Sequence, residues 1–371
     1  MALKLGILCG GRSGEHEVSL QSALGIFSAV EREKFDPLLI AIDKEGVWRA
    51  GAVEELLQNP ADPARIRLKL GAPAVIPVAD GGRCLLLHGE SREPAWRIEA
   101  FFPIIHGTDG EDGALQGFLR MMDVPFVGAD VLGSAIAMDK EVAKRLLAHA
   151  GLPVTRWVHI RGIAEGARLF PELSAKWGLP LFVKPATLGS SVGVSRADTP
   201  ETFAAALEVA FRYDQRVLVE EAVQAREIEC SVLGNRLGVG EPPQASRPGE
   251  VKPRHDFYSY ASKYLDPDGA ELIVPADLDE ATEARVRELA VRAFDVLECD
   301  GLARVDFFLK PDGTLLINEL NSLPGFTKIS MYPKMWEATG LPYPKLISRL
   351  IELALERHRQ RAELSRVYDL E

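Results

Sequence analysis

Residues 3–9 (LKLGILC) form an apolar run that stops at Gly10-Gly11, which reads as a buried strand. From Val18 the apolar positions Ala23, Ile26, Phe27 and Val30 recur at helical spacing, and residues 38–42 (LLIAI) make a second run ending at Asp43. Strand, helix, strand at this length predicts a parallel βαβ start, because parallel neighbours need a crossover that a helix supplies. The fold class is therefore α/β. At 371 residues the chain is long enough for two or three domains with more than one buried core.

The same alternation continues along the chain. A proline-dotted stretch at about 51–97 reads as irregular or inserted; then come a strand at 101–105 and a helix through Leu115, Phe118, Leu119 and Met122. A second unit begins near Leu132. It has a helix over 139–150 with Asp139 as its cap, strands at 154–160, 179–185 and 216–221, and helices to Trp177 and over 200–211. The third unit carries strands near 227–234, 302–309 and 314–319, a helix over 278–298 and a closing helix over 343–362. The division is 1–131, 132–223 and 224–371.

Charge and composition narrow the function. With 43 Lys+Arg against 54 Asp+Glu the net charge is −11, which argues against nonspecific contact with nucleic acid or an anionic membrane. No apolar run approaches the roughly 20 residues of a spanning helix, and the first run is too short for a secretory segment. Four cysteines (Cys9, Cys84, Cys230, Cys299) without C-x-x-C spacing read as reduced core thiols of a cytoplasmic protein.

Four segments carry chemistry. GGRSGEHEVSL (10–20) runs a strand into glycines and a helix start, but Cys9 stands where a dinucleotide turn needs its first glycine. Glu15 and Glu17 would repel a pyrophosphate there, so Glu15 suits a substrate ammonium, unless both acids merely complement the helix dipole. HGTDGEDGALQG (106–117) places His106 at a strand end, where open α/β sheets bind ligands; a tight turn with a satisfied histidine is the other reading. VKPATLGSSVGVS (183–195) sets a strand lysine beside a serine-glycine loop, either a phosphate cover or a plain hairpin; it is not a Walker-type loop. RVDFFLKPDGTLLINELNSLPGFT (304–327) reads as a hairpin turning at Pro311-Asp312-Gly313. Alternation puts Arg304, Asp306 and Phe308 on one face of its first strand and Glu319 with Asn321 on one face of the second. Asp306, Glu319 and Asn321 are three hard oxygen ligands that suit Mg²⁺ with a nucleotide better than Zn²⁺. An ion pair with Arg304 is the structural alternative.

Taken together, the segments 10–20, 106–117, 137–140 (AMDK), 182–194, 217–229, 256–266 (DFYSYASKYLD) and 304–330 resemble the ATP-grasp superfamily, and within it the D-alanine–D-alanine ligase family. They occur in family order over most of the chain. The resemblance implies a three-domain architecture with an N-terminal pre-ATP-grasp parallel-sheet domain and two further units that grip ATP. It implies that Lys140, Lys184 and Lys263 bind phosphates under the loop containing Ser190 and Ser191. Glu220, Glu221 and Val223 would read adenine, Glu227 the ribose, and Phe182, Phe257 and Phe308 would stack on the base. Asp306, Glu319 and Asn321 would hold two Mg²⁺ (or Mn²⁺).

For the substrates it implies that Glu15 holds the first ammonium, linked through Ser190 to Tyr264, with His106 nearby. Arg304 and the Gly325 N–H would stabilise the oxyanion, and Ser330 would bind the second carboxylate. The implied reaction is ligation of two D-alanines through an acyl phosphate, for peptidoglycan precursor synthesis and cell-wall biogenesis. The implied partners are D-alanine, ATP and, since the family is often dimeric, a second copy of the chain. Tyr264 after Lys263 favours an amine over D-lactate as second substrate. A nucleotide sensor without turnover is disfavoured by the intact trio Asp306, Glu319 and Asn321 together with Arg304, and a dehydrogenase by the imperfect glycine turn.

Overall fold

The computed structural model describes residues 2–62, 65–236, 241–254 and 269–365. Phe257, Lys263 and Tyr264 lie outside the described residues.

The first apolar run forms the strand Leu3–Gly10, paired in parallel with Phe35–Ile42 on one side and Ala100–Pro103 on the other. The helix His16–Ala29 makes the crossover, two residues earlier than the apolar spacing alone placed it. Trp48–Gly51 adds an antiparallel edge. Both faces of this sheet are covered, as a parallel sheet requires. Leu5, Ile7 and Cys9 pack toward Leu20, Ala23 and Ile26, while Leu8 packs with Ile40 and Phe101 on the opposite face.

The stretch 51–97 corrects the reading of an irregular insertion. Val75–Ala79, Cys84–His88 and Pro94–Ile98 form a three-stranded antiparallel meander, and Val75, Cys84, Leu86 and Ile98 seal the face of Leu8 and Phe101. Prolines hid these strands. Pro77 and Pro94 sit on the two outer strands, where a missing N–H costs no central ladder bond.

A second sheet runs Trp157–Ile160, Val217–Glu221, Leu181–Pro185, Ser195–Ala197, all antiparallel. The helices Ile163–Trp177 and Pro200–Phe211 bury Phe170, Leu173, Phe203 and Leu207 against Leu181, Val183, Val217 and Val219. The largest sheet orders Ala270–Ile273, Gly249–Pro253, Arg226–Gly234, Gly301–Leu309 and Leu315–Asn321, with Gln244–Ala245 beside Arg226–Gly234. The helix Glu280–Val296 packs Val286, Leu289, Ala290 and Phe294 under it. Lys140–His149 adds Ala143 and Leu147 to the same core, and Asp139 caps it by accepting from the N–H groups of Glu141 and Val142.

Strict alternation along Leu315–Asn321 would put Leu315, Ile317, Glu319 and Asn321 on one face. Instead Asp306 pairs with Glu319 and Phe307 with Ile317, so Asn318 is an extra residue in a β-bulge. The bulge lets Leu315 and Ile317 stay in the core while Glu319 and Asn321 face the other way beside Asp306. The last helix, Tyr343–Ala362, buries Leu346, Ile347, Leu350 and Ile351 in the core of the first sheet, together with Phe326 and Tyr332.

One close approach locks these layers. Gly133, in the helix Val131–Met138, lies so near the turn at 298–299 that an added Cβ would stand 2.2 Å from the Glu298 carbonyl oxygen. Backbone cannot retreat as a side chain can, so Gly133→Ala is expected to cost about 3 kcal/mol, read as a lower midpoint in urea unfolding.

Candidate active site

The three sheets bring distant segments to one cleft. At its first end Ser190 Oγ donates to Glu15 Oε1 across the chain. Ser13 Oγ donates to the His106 carbonyl at 2.7 Å and accepts from the Glu15 N–H at 3.2 Å, which ties the first glycine turn to the strand end at 106. Ser190 and Ser191 both adopt left-handed backbone, φ 53° and 59°. Two consecutive non-glycine residues there cost on the order of 1–2 kcal/mol each, and the bond to Glu15 helps hold them.

His106 is buried, its Nδ1 lies 3.1 Å from the Leu323 carbonyl and its Nε2 3.2 Å from Ser22 Oγ. Burial lowers its proton affinity and outweighs the opposing charge of Glu15, so the ring is neutral with Nδ1–H donating to Leu323. Both ring nitrogens are thus engaged. The reading of a satisfied histidine describes the geometry, and His106 orients the strand end against the 323 turn.

The next contacts lead inward. Lys140 Nζ donates to the Leu188 carbonyl at 2.6 Å and stands 3.6 Å from Glu319 Oε2. Lys184 Nζ is 2.7 Å from Glu220 Oε2, and a second lysine, Lys144, is 3.3 Å from Glu220 Oε1. Burial pushes the Lys144 ammonium down to about 8; it also disfavours the Glu220 anion, yet Lys144 and Lys184 outweigh it and hold that carboxylate below its usual range. The Glu221 side chain turns instead to Arg156, with a 2.7 Å bond from Nε.

Arg304 grips Asp306 through Nε and one terminal nitrogen, 2.7 Å each, and lies 3.1 Å from Glu229. Burial disfavours the guanidinium charge, but the two carboxylates more than compensate and keep it protonated. The ion pair considered as a structural alternative therefore exists alongside the trio Asp306, Glu319 and Asn321. Asn321 Nδ2 donates 3.0 Å to Asp306 Oδ2, which turns the amide oxygen into the group that could ligate a cation. Among the described residues no three His, Cys, Asp or Glu side chains cluster as a metal site, so any cation here would rest on two carboxylates, one amide oxygen and substrate oxygens. That hard, incomplete set suits Mg²⁺ or Mn²⁺.

Other expected residues fall nearby. Phe182 pairs in register with Glu220, and Phe308 with Glu227. Val223 follows the strand end at Glu221. A Cβ on Gly325 would lie 3.3 Å from Ser330 Oγ, and Ser330 itself bonds Thr327 Oγ1 at 2.8 Å.

Glu111 escaped the sequence reading, although its signal stood in the run G-E-D-G. Its Oε2 accepts from the Gly107 N–H at 2.7 Å, and a Cβ on Gly107 would lie 3.0 Å from Glu15 Oε2, so two carboxylates share this corner. Burial first, and the Glu15 charge second, push Glu111 up to about 8. It therefore carries a proton at neutral pH in the folded state but not in the unfolded chain. Stability is lost as pH rises from the unfolded value of about 4.3 through 8. Glu111→Gln removes that loss; melting curves are expected to show the variant gaining on the wild type between about pH 5 and pH 8.

Family models settle the affiliation. Residues 4–129 match the D-ala D-ala ligase N-terminus and residues 146–352 the D-ala D-ala ligase C-terminus. The chain belongs to the D-alanine–D-alanine ligase family. Relatives include a D-alanine–D-alanine ligase A of Chromobacterium violaceum, 52% identical over 367 residues covering 98% of each chain. The corresponding ligase A of Escherichia coli K12 is 49% identical over 356 residues, 96% of each chain. Solved structures agree: the D-alanine-D-alanine ligase of Coxiella burnetii superposes with TM-score 0.82 at 37% identity, covering 98% of this chain and 96% of that one. A D-Ala:D-Ser ligase of Enterococcus faecalis gives 0.81 at 34%, covering 95% and 100%. The fold is ATP-grasp. All four cysteines are free and buried, as core thiols should be. Among the described residues no helix is long and apolar enough to cross a membrane.

Proposed function

We propose that this enzyme joins two D-alanines, at the cost of ATP, into the dipeptide used for peptidoglycan precursors. One observation carries the reading: an unbroken path of contacts runs from Glu15 through Ser190, the 188–190 loop, Lys140, Glu319 and Asp306 to Arg304. Residues suited to an ammonium, to phosphates and to a divalent cation are thus joined by contacts, which supports the reading. The relatives' activities and the match over nearly the whole chain point the same way.

In this reading Glu15 fixes the first ammonium, which aims that substrate's carboxylate at the γ-phosphate. Lys140, Lys184 and Lys263 offset the repulsion between carboxylate and triphosphate. Asp306, Glu319 and Asn321 would hold two Mg²⁺ (or Mn²⁺), and a bound divalent cation supplies charge neutralisation on the phosphates. Glu220, Glu221, Val223, Glu227, Phe182, Phe257 and Phe308 seat the nucleoside. The acyl phosphate then meets the second amine, while Arg304 and the Gly325 N–H stabilise the tetrahedral oxyanion and Ser330 anchors the second carboxylate. Ser191 covers the phosphates, and Tyr264 would serve with Ser190 to keep water from the acyl phosphate. Units bounded at 131/132 and 223/224, a homodimer and a cytoplasmic location belong to the same reading.

The test is phosphate release with ATP, a divalent cation and D-alanine or L-alanine alone, followed by analysis of the product formed when D-alanine is mixed with D-lactate or D-serine. Release with D-alanine alone, absent with L-alanine, is the expected result. A mixed product with D-lactate or D-serine in place of the second D-alanine, as the main product, would move the assignment to a depsipeptide or D-Ala–D-Ser ligase.

A further inference from the structure

Lys184 is the strand lysine that precedes the serine-glycine loop, yet its ammonium is paired with Glu220 at 2.7 Å. A lysine neutralised in this way has little charge left for a polyphosphate. Glu220 is almost fully buried and has a second cationic partner: Lys144, 1% exposed, 3.3 Å from its other oxygen. Lys144 is further fixed by a hydrogen bond to Thr155 Oγ1, itself buried and 3.4 Å from Glu220. Lys144 sits one helical turn beyond Lys140, and both rise from the helix that Asp139 caps. Two cations and one anion leave a single positive charge on the cluster.

We propose that Lys144 is a positioning residue for the nucleotide: it shares the Glu220 charge, so that Lys184 keeps a net positive field toward the triphosphate. Buried so deeply, it contributes by charge and orientation and not by touching substrate. A lone Lys184–Glu220 pair would be electrically silent to the phosphates, while Glu220 keeps Lys184 pointing in one direction. The inference rests on the proposed assignment of Lys184 to the phosphates.

The experiment measures dissociation constants for ATP and adenosine by calorimetry with the full chain, and reads their ratio, which cancels effects on the base pocket. Removing one unit charge beside a polyphosphate is expected to change that ratio about 10-fold at an effective dielectric of about 20. Lys144→Met should lower the preference for ATP by that factor. Glu220→Gln should raise it, and Lys144→Met/Glu220→Gln should return it near the wild-type value. A structural role predicts instead that ATP and adenosine weaken together and that the double variant is the worst. Where Lys144→Met does not fold, the comparison of Glu220→Gln with the double variant still decides: an unchanged ratio overturns the proposal. Lys184→Met separates the two layers. An unaltered ratio there would defeat the assignment of Lys184 itself, whereas a fall there with no response to Lys144→Met would defeat only the present inference.

Discussion

Asp306→Asn is expected to slow turnover by about 100- to 1,000-fold, the scale of losing one preorganised charge contact in the transition state. Asp306 carries three relations at once: two bonds from Arg304, one from Asn321, and the cross-strand place opposite Glu319. The amide keeps the size but loses the anion, so Arg304 is left with Glu229 as its charged partner and the oxygen set for the divalent cation drops to one carboxylate. The expected signature is a higher Mg²⁺ concentration for half-maximal rate, measured by coupled ADP release across a Mg²⁺ titration. A variant with normal metal requirement and normal rate would contradict the placement of the cation at this hairpin.

Glu15→Gln should produce the complementary result. Its carboxylate is held by Ser190 Oγ. Losing a charge-assisted contact with an ammonium is expected to raise KM for the first D-alanine about 100-fold. ATP affinity should change less than about 3-fold, since the lysines and Glu220 are untouched. Initial-rate kinetics that resolve the two amino-acid sites, with ATP binding measured separately, check both halves. Equal loss of ATP binding would show that Glu15 acts through the loop at 189–191 and not on the amino acid.

Much of the architecture was legible locally. The helix over 139–150 announced itself through Asp139, and the observed cap accepts from two N–H groups there. The hairpin at 304–321 followed from its turn residues, and the first βαβ from two apolar runs around an amphipathic stretch. Other parts were masked by competing signals. Prolines on outer strands disguised the meander at 75–98, because proline is tolerated at an edge but reads as a breaker. The bulge at Asn318 was invisible for a different reason: one extra residue reverses side-chain parity only when a partner strand exists to define the register.

The sequence alone determined the class of elements, the family-like order of the motifs and the chemical types gathered for the cleft. Each of these depends on residues close together in the chain. Only the tertiary structure decided that Glu111 shares a corner with Glu15 and that Lys144 and Lys184 divide one buried carboxylate. It likewise decided that the final helix closes the first sheet. Those are through-space facts between residues far apart in sequence, and the charge states they impose arise from burial and neighbours that no local pattern encodes.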